Sequence, residues 1–145
     1  MRFPDLRACV YTSDYVLDIM MKILIIDDDE YIRKLIRKWL EREGYEVFEA
    51  EDGKQGFALQ QKTPVDFLIC DLIMPVQEGI ETITRFNKEF AEVGIIAISG
   101  GGKVGPESYL EVAQHLGAWK VFTKPVDMVT LVEAINQWKS GADKR

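Results

Sequence analysis

Cysteine is scarce in this chain: 145 residues carry two, Cys9 and Cys70. They show no motif spacing, and Cys70 sits in an apolar run, so a buried free thiol in a reducing cytoplasm is expected there. Positive charge is also short. Lys and Arg number 18 against 24 acids, for a net charge of −6. That balance argues against non-specific nucleic-acid binding, which feeds on positive charge. No apolar run is long enough to cross a bilayer. Internal repeats and low-complexity tracts are absent as well. What remains is a chain with 47% hydrophobic residues, enough for one packed domain of ordinary size.

The first 20 residues, "MRFPDLRACVYTSDYVLDIM", lack the apolar core and cleavage site of a signal peptide. Met21 is followed at once by Lys22 and a strong strand pattern. Residues 1–20 are therefore read as an accessory extension or the product of an upstream start codon. Residues 21–139 are the working domain, and 140–145 form a short polar tail.

From Met21 onward two kinds of segment alternate. Short runs rich in β-branched or aromatic residues fall at Ile23–Ile26, Tyr45–Phe48, Phe67–Cys70, Ile95–Ile98 and Val121–Phe122. Such runs suit parallel strands covered on both faces. Between them the apolar period is helical. Ile32, Leu35, Ile36, Trp39 and Leu40 line one face, and Gly44 ends that helix. Ile83, Phe86 and Phe90 mark another, Tyr109, Val112, Ala113 and Leu116 a third, and Met128, Leu131, Val132, Ile135 and Trp138 a fourth. The helix near 53–62 is the faintest, resting on Phe57 and Leu59. Five strands and five helices in strict alternation predict an α/β fold, a doubly wound parallel sheet. Ligands of such folds bind outside the carboxyl ends of the strands, where the strand order reverses.

Those ends carry the chemistry. Strand one ends at Asp27-Asp28, strand three at Asp71, strand four at Ser99 and strand five at Lys124-Pro125. Three carboxylates, a hydroxyl and an ammonium should meet at one edge. Adjacent carboxylates each disfavour the ionisation of the other, but they suit a hard divalent cation with oxygen ligands, Mg²⁺ above all. The acid pair Asp27-Asp28 is thus expected to be strained without metal. With a lysine and a hydroxyl beside it, the site suits a phosphoryl group, and a carboxylate could be the nucleophile. Asp29 and Glu30, by contrast, read as acids of a first helical turn.

Four pieces, "ILIIDDDE", "DFLICDLIMPVQEG", "IIAISGGG" and "GAWKVFTKP", stand in this order on the expected elements. Together they resemble the receiver domain of two-component response regulators, from Met21 to about Trp138. The resemblance implies a flavodoxin-like strand order of 2-1-3-4-5. It implies that Asp71, followed by Met74-Pro75 and Gly79, accepts a phosphoryl group from a sensor histidine kinase or phosphotransfer protein. Asp27, Asp28 and Asp71 would hold Mg²⁺ with the backbone carbonyl of Ile73. Ser99 would bond the phosphoryl group, and Lys124 would pair with the acceptor. A cis Lys124–Pro125 bond is expected. Phosphorylation would then move the face formed by helix four, strand five and helix five, where a downstream protein or a second copy would dock. No DNA-binding domain follows residue 139, so direct DNA binding is not expected.

Two positions depart from the common pattern. Val121 stands where many receivers carry an aromatic switch, and Phe122 should point to the opposite side of the strand. Ile73 is apolar where some members carry a polar residue, which implies a long-lived phosphoryl group. The main alternative is an aspartate-nucleophile phosphatase, since Asp27-x-Asp29 mimics its D-x-D start. Tyr31 then stands where that class usually has Thr or Val. A flavodoxin-like cofactor binder would leave the acids and Lys124 unexplained. "GGGKVG", Gly100–Gly105, also satisfies a dinucleotide G-x-G-x-x-G, but no acid ends the next strand, and a flexible loop is the better reading.

Overall fold

The computed structural model describes residues 20–141 apart from 73, 75, 101–110 and 113. The strands are β1 (Lys22–Ile26), β2 (Glu46–Ala50), β3 (Phe67–Asp71), β4 (Gly94–Ser99) and β5 (Lys120–Thr123). Helices α1 (Glu30–Arg42), α2 (Gly53–Lys62) and α3 (Val76–Glu89) connect the first four. Residues 111–112 and 114–115 are helical and represent α4, and α5 (Met128–Ser140) closes the chain. All pairings are parallel, in the order β2-β1-β3-β4-β5. This is the doubly wound fold that the alternation predicts. The order reverses between β1 and β3, so a crevice forms where Asp27 and Asp71 emerge.

Each central strand is buried on both faces because its side chains alternate between two cores. Ile23, Ile25, Phe67, Ile69, Ile96 and Ile98 face one, with Ile36 and Leu40 of α1 and Leu131 and Ile135 of α5. Leu24, Ile26, Leu68, Cys70, Ile95 and Ala97 face the other, with Phe57 of α2 and Ile83 and Phe86 of α3. Phe57 stacks on Phe86 with ring centroids 4.6 Å apart. Phe67 receives the edges of Trp138 and Trp119 in the opposite core. Val121 packs on the α2–α3 side and Phe122 on the other, as the strand period predicts.

The second strand starts one residue later than the sequence reading has it. Tyr45, expected to open the second strand, instead donates its N–H to the Leu40 carbonyl and finishes the turn after α1. Gly44 beside it adopts φ +94°, a conformation that favours glycine. The faint helix α2 is fully formed, and its buried face explains the faintness. A Cβ on Gly56 would lie 2.4 Å from Ile26 Cδ1, and one on Gly53 2.1 Å from Thr82 Oγ1. The helix packs through its backbone there, so no apolar side chain marks that part of the face.

Candidate functional site

β1 and β3 run side by side, and each delivers an acid at its end. Asp27 follows the last residue of β1, and its N–H still bonds the Ala50 carbonyl of β2. Its carboxylate accepts the Asp29 N–H at 2.8 Å. Asp71 is the last residue of β3 and pairs in register with Ile98 of β4. One residue on, Ser99 ends β4. Lys124, just past β5, donates Nζ to Asp71 Oδ2 at 3.1 Å and reaches Asp27 Oδ2 at 3.5 Å. The Lys124–Pro125 peptide is cis. Carboxylate oxygens of Asp27, Asp28 and Asp71 all lie within 4.8 Å of one another. The residues predicted to share one edge do share it. Ile73, with Pro75 and the 101–105 part of the glycine loop, lies outside the described residues, as do Cys9, residues 1–19, Tyr109, Ala113 and 142–145.

The electrostatic stress falls elsewhere than the Asp27-Asp28 sequence suggests. Asp27 is 2% exposed and Asp71 1%, whereas Asp28 is open to solvent. Burial first, and then Asp71, raise the Asp27 carboxyl from its ordinary 3.8 to about 6, against the pull of the Asp29 N–H and Lys124. The opposing carboxylate therefore comes from the neighbouring strand, not from the next residue. Burial works against the charge on Lys124, but Asp71 and Asp27 outweigh it and hold the ammonium above its usual value. Cys70 is a buried free thiol, pushed well up by burial and then by Asp71 and Asp27.

The oxygen-only donor set fits Mg²⁺ chemically, since that ion takes carboxylates and keeps several waters. A second fit comes from Ser99. Its hydroxyl is buried and has no hydrogen-bond partner among the described residues, an expensive condition unless a ligand oxygen supplies one.

Asp29 belongs to α1. Its carboxylate caps the helix by accepting from the N–H groups of Tyr31 and Ile32, and Glu30 occupies the first turn. The reading of these two acids as helix starters holds.

Residues 23–136 match the sequence family described as the response regulator receiver domain. The chain belongs to that family. The receiver is 29% identical over 117 residues to the sporulation initiation phosphotransferase F of Bacillus subtilis, covering 81% of this chain and 92% of that protein. It is 34% identical over 115 residues to the response regulator RR06 of Streptococcus pneumoniae, covering 79% of this chain. It spans about half of that relative's length, 51%. Among solved structures, a CheY-like response regulator receiver domain protein from Methanospirillum hungatei superposes with a TM-score of 0.75 at 28% identity, covering 84% of this chain and 95% of that one. Among the described residues, no helix of the receiver is long and apolar enough to cross a membrane.

Two contributors to the receiver's site were given no physical role by the sequence reading. Gly79, in the first turns of α3, lies against the main chain of Asp71 and Leu72. A Cβ there would stand 2.8 Å from the Asp71 carbonyl oxygen and 3.0 Å from Leu72 Cα. Gly79→Ala is expected to destabilise the receiver by about 1–3 kcal/mol, the usual cost of overpacking, because the backbone under Asp71 must shift. Denaturant titration of the two proteins checks this; equal midpoints would contradict it. The other is the pair Arg33 and Glu49: Arg33 donates Nε to Glu49 and Nη1 to the Asp27 carbonyl. Arg33 lies next to Ile32 on the helix, and Glu49 falls between the apolar Phe48 and Ala50 of β2. Both are charges placed inside apolar patterns, and that misfit is the signal that could have found them.

Proposed function

We propose that this chain works as a phosphoacceptor switch, taking a phosphoryl group on Asp71 from a phosphohistidine of a sensor kinase or phosphotransfer protein. The observation that carries this reading is the convergence of Lys124, Asp27 and Asp28 on one strand-end carboxylate, Asp71. In the transfer, an Asp71 carboxylate oxygen bonds phosphorus as the phosphorus–nitrogen bond breaks, and the imidazole takes the leaving electron pair. Lys124 holds positive charge beside the acceptor throughout, and the Ser99 hydroxyl donates to a phosphoryl oxygen. Mg²⁺, held by Asp27, Asp28, Asp71 and the Ile73 carbonyl, would neutralise charge on the phosphoryl oxygens. The chain assists only its own phosphorylation and dephosphorylation, and residues 21–139 are the working unit.

Two surfaces support protein partners on either side of the site. Tyr31 is 73% exposed, three residues from Asp28, and offers an aromatic contact for an incoming phosphodonor. Val112 of α4 and Val129 of α5 are exposed apolar side chains on the two helices that flank β5. We assign the downstream contact to that face, which a second copy of the chain would also fit. The phosphatase alternative loses its second aspartate, because the Asp29 carboxylate is committed to the N-terminus of α1.

The test is acetyl phosphate with Mg²⁺, followed by intact mass. One phosphoryl group per chain is expected on the wild type and none on Asp71→Asn. Undiminished labelling of Asp71→Asn would remove the reading. Repeated turnover of phosphate esters that depends on Asp27 would replace it with the phosphatase.

A further inference from the structure

A partly buried ionic strut reaches the acidic site from the edge of the sheet. Glu49 stands on β2, an outer strand, and accepts Arg33 Nε at 3.0 Å through one carboxylate oxygen and Arg37 Nη1 at 2.8 Å through the other. Burial opposes the charge on Glu49, but Arg37 and Arg33 outweigh it and lower its pKa. Arg33 is 8% exposed. Its Nη1 donates to the main-chain carbonyl of Asp27 at 2.7 Å. The Asp27 peptide is thus gripped at both ends, by the Ala50 carbonyl on its N–H and by Arg33 on its carbonyl. That carbonyl is where the chain leaves β1 and sets the direction in which Asp27 and Asp28 project.

We propose that Arg33, oriented by Glu49, is a positioning residue for the cation site, fixing the Asp27 main chain and thereby the Mg²⁺ affinity of the acid pair. The inference rests on the Mg²⁺ site of the proposed function. The guanidinium fork is what makes the contact possible. It meets a carboxylate and a carbonyl at once, whereas a lysine ammonium is a single point of charge. Residues that orient metal ligands from behind typically change affinity by about 10–100-fold when removed.

Charge and positioning make opposite predictions at this residue. If Arg33 mattered only as a positive charge near the site, Arg33→Met would tighten Mg²⁺ binding, because a repelling cation has gone. If it positions Asp27, Arg33→Met weakens binding.

The experiment is calorimetric titration of Mg²⁺ alone into the full chain at pH 8, with circular dichroism to verify folding. Arg33→Met is expected to weaken binding about tenfold or more. Arg33→Lys, which keeps the charge and is the gentler change for the fold, should fall between it and wild type. Glu49→Gln should weaken binding while Arg33 itself is intact. Ile36→Val, a neighbouring core substitution in α1, should leave affinity unchanged, which separates positioning from general loss of stability. Wild-type affinity in folded Arg33→Lys, or tighter binding by Arg33→Met, overturns the strut alone. Failure of the wild type to bind Mg²⁺ overturns the strut and the metal site together.

Discussion

Asp27→Asn is expected to stabilise the metal-free protein by about 2–3 kcal/mol at pH 8, by removing a buried carboxylate that is costly to ionise. The sign follows from proton binding. Asp27 titrates near 3.8 when unconstrained and at about 6 in the fold. Between those values the folded state holds more protons than the unfolded state, so this residue makes stability fall as pH rises through the window. The penalty is complete above about pH 6 and absent below about pH 4, so the advantage of Asp27→Asn should shrink to nothing across that range. Urea titrations of both proteins from pH 4 to 8 measure it. Asparagine can still accept the Asp29 N–H through its carbonyl oxygen, so the loop contact survives the change. The same substitution should weaken Mg²⁺ binding, since a carboxylate of the proposed cation site has gone. A variant less stable than wild type at pH 8 would show that Asp27 is not the strained group.

Lys124→Met should do the reverse. It leaves two buried carboxylates, Asp27 and Asp71, without the ammonium that lies between them. Removing one partner of a buried ion pair costs about 3–5 kcal/mol when it is fully enclosed. Lys124 is 24% exposed, so about 2–3 kcal/mol at pH 8 is the better figure. Its pKa is raised in the fold, so its stabilising contribution is fully present below the ordinary lysine value of about 10.4 and is lost only as pH climbs past the folded pKa. The loss caused by Lys124→Met should therefore hold across neutral pH, shrink toward acid, where Asp27 takes up a proton, and shrink again where the ammonium itself deprotonates. Asp27→Asn in the same chain should recover part of it, with a coupling energy of about 1 kcal/mol or more. Strict additivity of the two substitutions would mean that Lys124 and Asp27 do not sense each other.

The fold was legible because both of its periods are clean. Ile23 to Ile26 alternate between two cores, and a short unbroken apolar run rich in β-branched residues suits a strand covered on both faces. The residues at the strand ends were legible for the same reason: once the strands are parallel, Asp27, Asp71, Ser99 and Lys124 must emerge together. Three features were not. α2 hides its buried face in Gly53 and Gly56, and glycine carries no hydrophobic signal. Asp27 and Asp28 look equivalent in sequence, yet they are buried and exposed respectively, because a strand end turns successive side chains apart. The Arg33–Glu49 contact joins residues 16 apart on different elements, and no local pattern announces a partner at that distance.

The placement of the aromatic rings has an optical consequence. The three tryptophans are Trp39, Trp119 and Trp138. All pack around the α1–α5 core, and Trp119 and Trp138 meet Phe67, the first residue of β3. Asp71 ends that strand about 13 Å further along, at the usual rise per residue. Intrinsic fluorescence is thus an emission signal from the base of the sheet and one flank. It should report unfolding cleanly while staying quiet during ligand titrations at the acidic end, giving the protein a built-in stability gauge uncoupled from its own site.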